Sequence, residues 1–152
     1  MTLRRLQASD TDLADIAAEL NAVESEVSSK TFTAETLRDL LQDPHNFYLL
    51  ATIDGHIAGA THGYLHVHPT GLKYLYIDEV DTIKQFRRQG VATAMMHEAF
   101  AISRQLGATK AWLGTEDDNE PAKALYQGLD PSKIEHGPIY TYKIDATSHG
   151  SK

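Results

Sequence analysis

The chain has 152 residues, 41% hydrophobic and 23% charged, with no cysteine and a formal net charge of -7. That length holds one domain with a sizeable core, and the absent cysteines exclude disulfides, thiolate metal sites and an acyl-cysteine intermediate. The polar start Met1–Leu6 offers no signal-peptide core, no apolar run reaches the ~18 residues of a membrane span, and the acidic balance speaks against a nucleic-acid partner. The expected address is the cytoplasm, and an acidic cleft would suit a cationic small ligand.

Along the chain, Leu3–Leu6 reads as a strand. Ser9 with Asp12 resembles a capping box before Leu13, Ile16, Ala17 and Leu20 at helical spacing. A second helix starts at Thr33 and carries Leu37, Leu40 and Leu41 until Pro44. Phe47–Ile53 and His56–Val67 flank Asp54-Gly55, a hairpin signal because that turn needs positive φ at both positions. After Pro69 and Gly71, Lys73–Ile83 reads as a strand. Helical spacing resumes with Val91, Met95, Ala99, Ile102 and Leu106, and Gly107 ends it. Ala111–Thr115 is a short strand, Pro121–Leu129 a short helix, and Ile139–Ile144 a last strand. The order β-α-α-β-β-β-α-β-α-β predicts an α/β fold whose central sheet is mixed, mostly antiparallel and flanked by helices. Residues 1–145 form a single domain in this reading, and the polar residues 146–152 a flexible tail.

The segment between the long strand and the long helix reads Gln85-Phe86-Arg87-Arg88-Gln89-Gly90-Val91-Ala92-Thr93. The first N–H groups of a helix have no internal partner, and its dipole favours an anion on the axis. Gly90 and Ala92 keep bulky side chains away, and Arg87 and Arg88 offer forked donors to phosphate oxygens. It is neither a Walker loop nor a dinucleotide fingerprint. From the residues alone, a solvent-capped basic helix start is an equal alternative.

Arg87-Arg88-Gln89-Gly90-Val91-Ala92 resembles the coenzyme A motif Arg/Gln-x-x-Gly-x-Gly/Ala of the GNAT family of N-acetyltransferases. Asn119-Glu120-Pro121-Ala122-Lys123-Ala124-Leu125-Tyr126 is similar to that family's Asn-x-x-Ala-x-x-Leu-Tyr element. Two motifs in order, each in its expected context, are far more specific than either alone. Together with Tyr76–Val80, they look closest to the small aminoglycoside 3-N-acetyltransferases. Asp130 departs from the pattern, standing where the family usually carries glycine.

The resemblance implies the GNAT fold, acetyl-CoA as cofactor and, as in many relatives, a homodimer. It implies that Arg87, Arg88, Gln89, Gly90, Val91, Ala92 and Thr93 hold the pyrophosphate. It further implies that Val80, Asp81 and Thr82 pair with the pantetheine arm, with Asn119 and Tyr126 also at the cofactor. The Val80 N–H would polarise the thioester carbonyl. Glu79 is the candidate base, the alternative being a solvated carboxylate that merely attracts the amine. Tyr126 is the candidate acid for the leaving thiolate, the alternative being a packed aromatic ring. Without a cysteine, direct attack in a ternary complex is the natural route.

Asp78, Glu79 and Asp81, with Glu116, Asp117, Asp118 and Glu120, bunch near these motifs. Crowded carboxylates repel unless a cation relieves them. Asp78, Glu79, Glu116, Asp117 and Asp118 are therefore candidate substrate contacts, although Asp117 and Asp118 read equally well as a solvated loop. An aminoglycoside amine is the leading substrate, with antibiotic resistance as the consequence. A polyamine, a protein lysine or N-terminal amine, and a non-catalytic acyl-CoA-binding module are the alternatives. His66 and His68 share a strand face but lack a third ligand, so no metal is expected. Met95, Met96 and Phe100 read as core, and so does Trp112, with lining of the substrate cleft as its lesser alternative.

Overall fold

The computed structural model describes residues 1–24 and 31–145; the expected flexible tail lies outside the described residues. The elements are β1 (Thr2–Arg5), α1 (Leu13–Glu24), α2 (Ala34–Gln42), β2 (Asn46–Ile53), β3 (His56–Val67), β4 (Lys73–Thr82), α3 (Val91–Gln105), β5 (Lys110–Trp112) and α4 (Glu120–Gly128). They build a five-stranded sheet in the order β1-β2-β3-β4-β5. Its first four strands are antiparallel, and β5 joins β4 in parallel. No helix among the described residues is long and apolar enough to cross a membrane.

Alternation along β2 divides the apolar residues between the two faces of the sheet. Phe47, Leu49 and Ala51 meet Met95, Met96 and Ile102 of α3. Tyr48 and Leu50 meet Leu13, Leu20 and Leu37 of α1 and α2. The Asp54-Gly55 turn takes positive φ at both residues, 51° and 80°, as its sequence predicts. Thr33 caps α2 through a reciprocal box with Thr36.

Two expectations fail. Asp12 does not serve a capping box with Ser9; its carboxylate takes both terminal nitrogens of Arg4, at 2.7 and 2.8 Å. A charged fork is a stronger partner than a backbone N–H at an exposed helix start. The last strand, Ile139–Ile144, does not form, and Ile139 and Ile144 are both 87% exposed. β-propensity records fit to a pleated surface rather than the presence of a partner. β5 presents only Lys110–Trp112 as an edge, shorter than the expected Ala111–Thr115.

The detail that governs the site is a break in register. Tyr64 faces Tyr76 and Gly63 faces Ile77, but His62 faces Glu79, so Asp78 is an extra residue in β4. A bulge of this kind costs a ladder position and redirects the strand. Gly63 admits it: a Cβ there would collide with the Tyr76 carbonyl and stand 2.8 Å from the Phe47 ring. The buried Thr61 hydroxyl donates to the Glu79 carbonyl at 2.6 Å, so the distorted backbone stays paired.

Candidate functional site

The bulge puts two consecutive carboxylates on one face of β4. Both reach His62, whose Nε2 lies 3.1 Å from Glu79 Oε2 and whose Nδ1 lies 3.8 Å from Asp78 Oδ2. Behind them the imidazole stacks on Tyr48, with ring centroids 5.6 Å apart and planes 4° from parallel. Asp81 is the third acid of the strand. Burial pushes its carboxyl above the ordinary range, Glu79 adds to the rise, and His62 and Arg87 oppose it.

β4 and β5 pair only from Tyr74–Tyr76 to Lys110–Trp112. Among the described residues, Ile77–Thr82 has no strand on that side. The backbone of Val80, Asp81 and Thr82 therefore has, away from β3, an edge on which no strand lies among the described residues. A cavity of about 1070 Å³ is lined by Ile77, Met96, Phe100, Trp112, Lys123 and Tyr126 among others. Burial pushes the Tyr126 phenol above its ordinary value, and the charge of Asp81 pushes it further.

The loop from β4 to α3 has the features of an anion cradle. Arg88 and Gly90 both take left-handed backbone, φ 62° and 78°. Interleaving such residues turns successive N–H groups toward one side. The first rung of α3 runs from Ala94 N to Gly90 O, and among the described residues the N–H groups from Arg88 through Thr93 have no backbone acceptor. A Cβ at Gly90 would meet nothing within 4 Å, so positive φ rather than crowding within the fold asks for glycine there. The Arg87 and Gln89 side chains brace the loop, donating to Thr82 O at 3.4 Å and Gln85 O at 3.3 Å.

Asn119 Oδ1 caps α4 by accepting from Ala122 N at 3.2 Å, leaving its amide donors for other partners. Asp130 holds φ 56°, the conformation for which the family pattern carries glycine. Glu116, Asp117 and Asp118 lie in the loop after β5. Asp117 faces His136 at 3.3 Å, and its carbonyl accepts from Lys123. No hydrogen bond or ion pair among the described residues joins this loop to Asp78 and Glu79.

Sequence reasoning missed His62. Counting back from Val67 opposite Lys73 brings His62 level with the Asp78–Glu79 pair, so a signal was present. Trp112, read as core, is 52% exposed. His66 stacks beside Tyr74 at the open strand end, as its position suggested.

Comparisons with known proteins point to one family. The profile of the acetyltransferase (GNAT) family matches residues 13–130. N-alpha-acetyltransferase 30 of Schizosaccharomyces pombe is 31% identical over 72 residues, 47% of each chain. An uncharacterized N-acetyltransferase of Mycobacterium tuberculosis is 27% identical over 104 residues, 68% of this chain and 61% of its own. The chain thus spans about half to three-fifths of these curated relatives. Among solved structures, an aminoglycoside acetyltransferase from an uncultured soil metagenomic sample, in complex with sisomicin, superposes with a TM-score of 0.82. It is 16% identical, over 95% of this chain and 96% of that one. A ribosomal-protein-alanine N-acetyltransferase from Brucella melitensis superposes at 0.70, 20% identical, over 93% and 100%. With the family profile covering the helices, the bulged strand and the loop that opens α3, the chain belongs to the acetyltransferase (GNAT) family.

Proposed function

We propose that this chain is an N-acetyltransferase that moves the acetyl group of acetyl-CoA to a ring amine, the 3-N, of an aminoglycoside. One observation carries the reading: Glu79 lies on one face of β4, and the edge of Val80–Thr82 away from β3 has no strand partner among the described residues, next to the free N–H groups that open α3. Coenzyme A fits the donor set, with N–H groups for a diphosphate and a strand edge for an amide-bearing arm. When bound, acetyl-CoA supplies an activated acetyl thioester.

In this mechanism Glu79 accepts one proton from the substrate ammonium and passes it toward His62 and solvent. The neutral nitrogen attacks the thioester carbon while Val80 N–H donates to the carbonyl oxygen. As the N–C bond forms and the C–S bond breaks, Tyr126 gives its proton to the departing sulfur. The remaining excess proton on the new amide nitrogen returns through water to Tyr126. The net products are the N-acetylated amine, free thiol and one proton.

Asp78 and Glu79 favour a polycationic substrate, and a sisomicin complex is known for a protein of the same fold. The second reading is a protein N-terminal amine, favoured by the 31% identity to an N-alpha-acetyltransferase. Release of free coenzyme A, followed with sisomicin, spermidine and short peptides, separates these substrates. A mass gain of one acetyl group, with the modified nitrogen located, fixes the position. No coenzyme A release with sisomicin at saturating acetyl-CoA refutes the aminoglycoside reading.

A further inference from the structure

Register partners place three rings in one row across the sheet: Tyr64 opposite Tyr76, and Tyr76 opposite Trp112. Tyr64 and Tyr76 meet edge to face at 5.3 Å, and Tyr76 and Trp112 lie 4.4 Å apart with planes at 43°. The row shares its face with His62, since Tyr64 stands two residues along β3, and with the Asp78–Glu79 pair that His62 contacts. The apolar cluster under α1 and α2 takes Tyr48, Leu50, Ile57 and Ala60 from this face and none of the three rings. Tyr64 stays 44% exposed and Trp112 52%.

A cross-strand aromatic row can serve the sheet alone. Three features exceed that role. The outer rings are open, two carboxylates stand in the neighbouring row beside His62, and the row beyond already seats a cation, with Lys110 Nζ 4.9 Å over the Tyr74 ring. Large exposed apolar groups beside convergent charges mark binding surfaces. The Tyr76 phenol is pushed upward by burial and by Asp78, so the rings and the acids already share one field.

We propose that Tyr64, Tyr76 and Trp112 form a stacking floor for the non-reacting rings of a cationic, ring-built amine whose reacting ammonium is drawn to Asp78 and Glu79. The inference rests on the acetyl-transfer reading and narrows its substrate class. A saturated ring lays its axial C–H groups flat on an aromatic face, and ammonium substituents gain from the ring quadrupole. A linear polyamine has no flat face to offer. The floor holds ground state and transition state alike, so it acts on KM rather than kcat.

Trp112 is the single tryptophan of the chain, so its emission reports occupancy without turnover. Titration with sisomicin shifts that emission in a saturable way, and spermidine does not. Trp112→Ala and Tyr64→Ala each raise KM for sisomicin about tenfold with kcat within about twofold. Trp112→Phe retains most of the affinity, which separates stacking from misfolding. KM for spermidine stays unchanged in all three. If wild type acetylates sisomicin while emission and KM ignore these changes, the floor is overturned and the transferase reading stands. Equal losses for spermidine and sisomicin overturn the floor as well. Sisomicin left unmodified by wild type overturns the substrate reading itself.

Discussion

His62 Nε2 stands 3.1 Å from Glu79 Oε2, held there by the Tyr48 ring stacked behind it. The contact gives an exposed carboxylate an imidazole partner through which a proton can move. In the proposed mechanism the two act in series on the substrate proton.

Glu79→Gln should therefore lower kcat well over tenfold with acetyl-CoA affinity nearly unchanged. His62→Gln should lower kcat by about tenfold. Steady-state rates from pH 5.5 to 9 with calorimetric titration of the cofactor make the check. A Glu79→Gln enzyme at full speed with saturating amine removes that carboxylate from the chemistry.

Gly90→Asp should weaken coenzyme A binding at least about tenfold, by setting a negative charge at the mouth of the cradle. The fold should survive, since a Cβ there meets nothing within 4 Å and the left-handed backbone costs about 1 kcal/mol. Calorimetry that finds wild-type affinity would refute the loop assignment.

Tyr126→Phe should cut kcat by about a hundredfold and leave KM for the amine in place. Burial and the charge of Asp81 both raise the phenol, so the alkaline limb of wild-type kcat should lie above pH 10. Asp81→Asn should pull that limb downward. The stability sign follows from the same direction: a phenol raised in the folded chain contributes fully below its unfolded value and loses that contribution as pH rises through the folded one. Wild type should soften above pH 10 more than Tyr126→Phe, as thermal melts at pH 9 to 11 will show.

Gly63→Ala should cost about 3 kcal/mol, because the added carbon meets the Tyr76 carbonyl and the Phe47 ring. Denaturant unfolding measures the loss. If the protein relieves the clash by moving β4, activity should fall further than stability does.

Local chemistry made much of this legible. The hairpin at Asp54-Gly55 and the left-handed Gly107 that ends α3 each rest on two or three neighbouring residues and formed as read, and the helix read from Thr33 begins one residue later with Thr33 as its cap. What stayed hidden depends on distant partners. His62 acquires meaning only through the register of β3 on β4, and that register slips by one at Asp78. Asp12 found Arg4, eight positions away, instead of Ser9. Ile139–Ile144 has the composition of a strand and no adequate edge to join. The roles of Glu79 and Tyr126 came from family likeness; the geometry adds their neighbours.

The surplus residue in β4 has an evolutionary corollary. Upstream of Asp78 the even-numbered side chains share the face of His62, and downstream of it the odd-numbered ones do. Deleting that position would restore unbroken alternation, with Glu79 still opposite His62 and Val80 still opposite Thr61. A loss of one codon here would therefore remove the second carboxylate beside the imidazole and the local twist of the strand, while every later side chain kept its side.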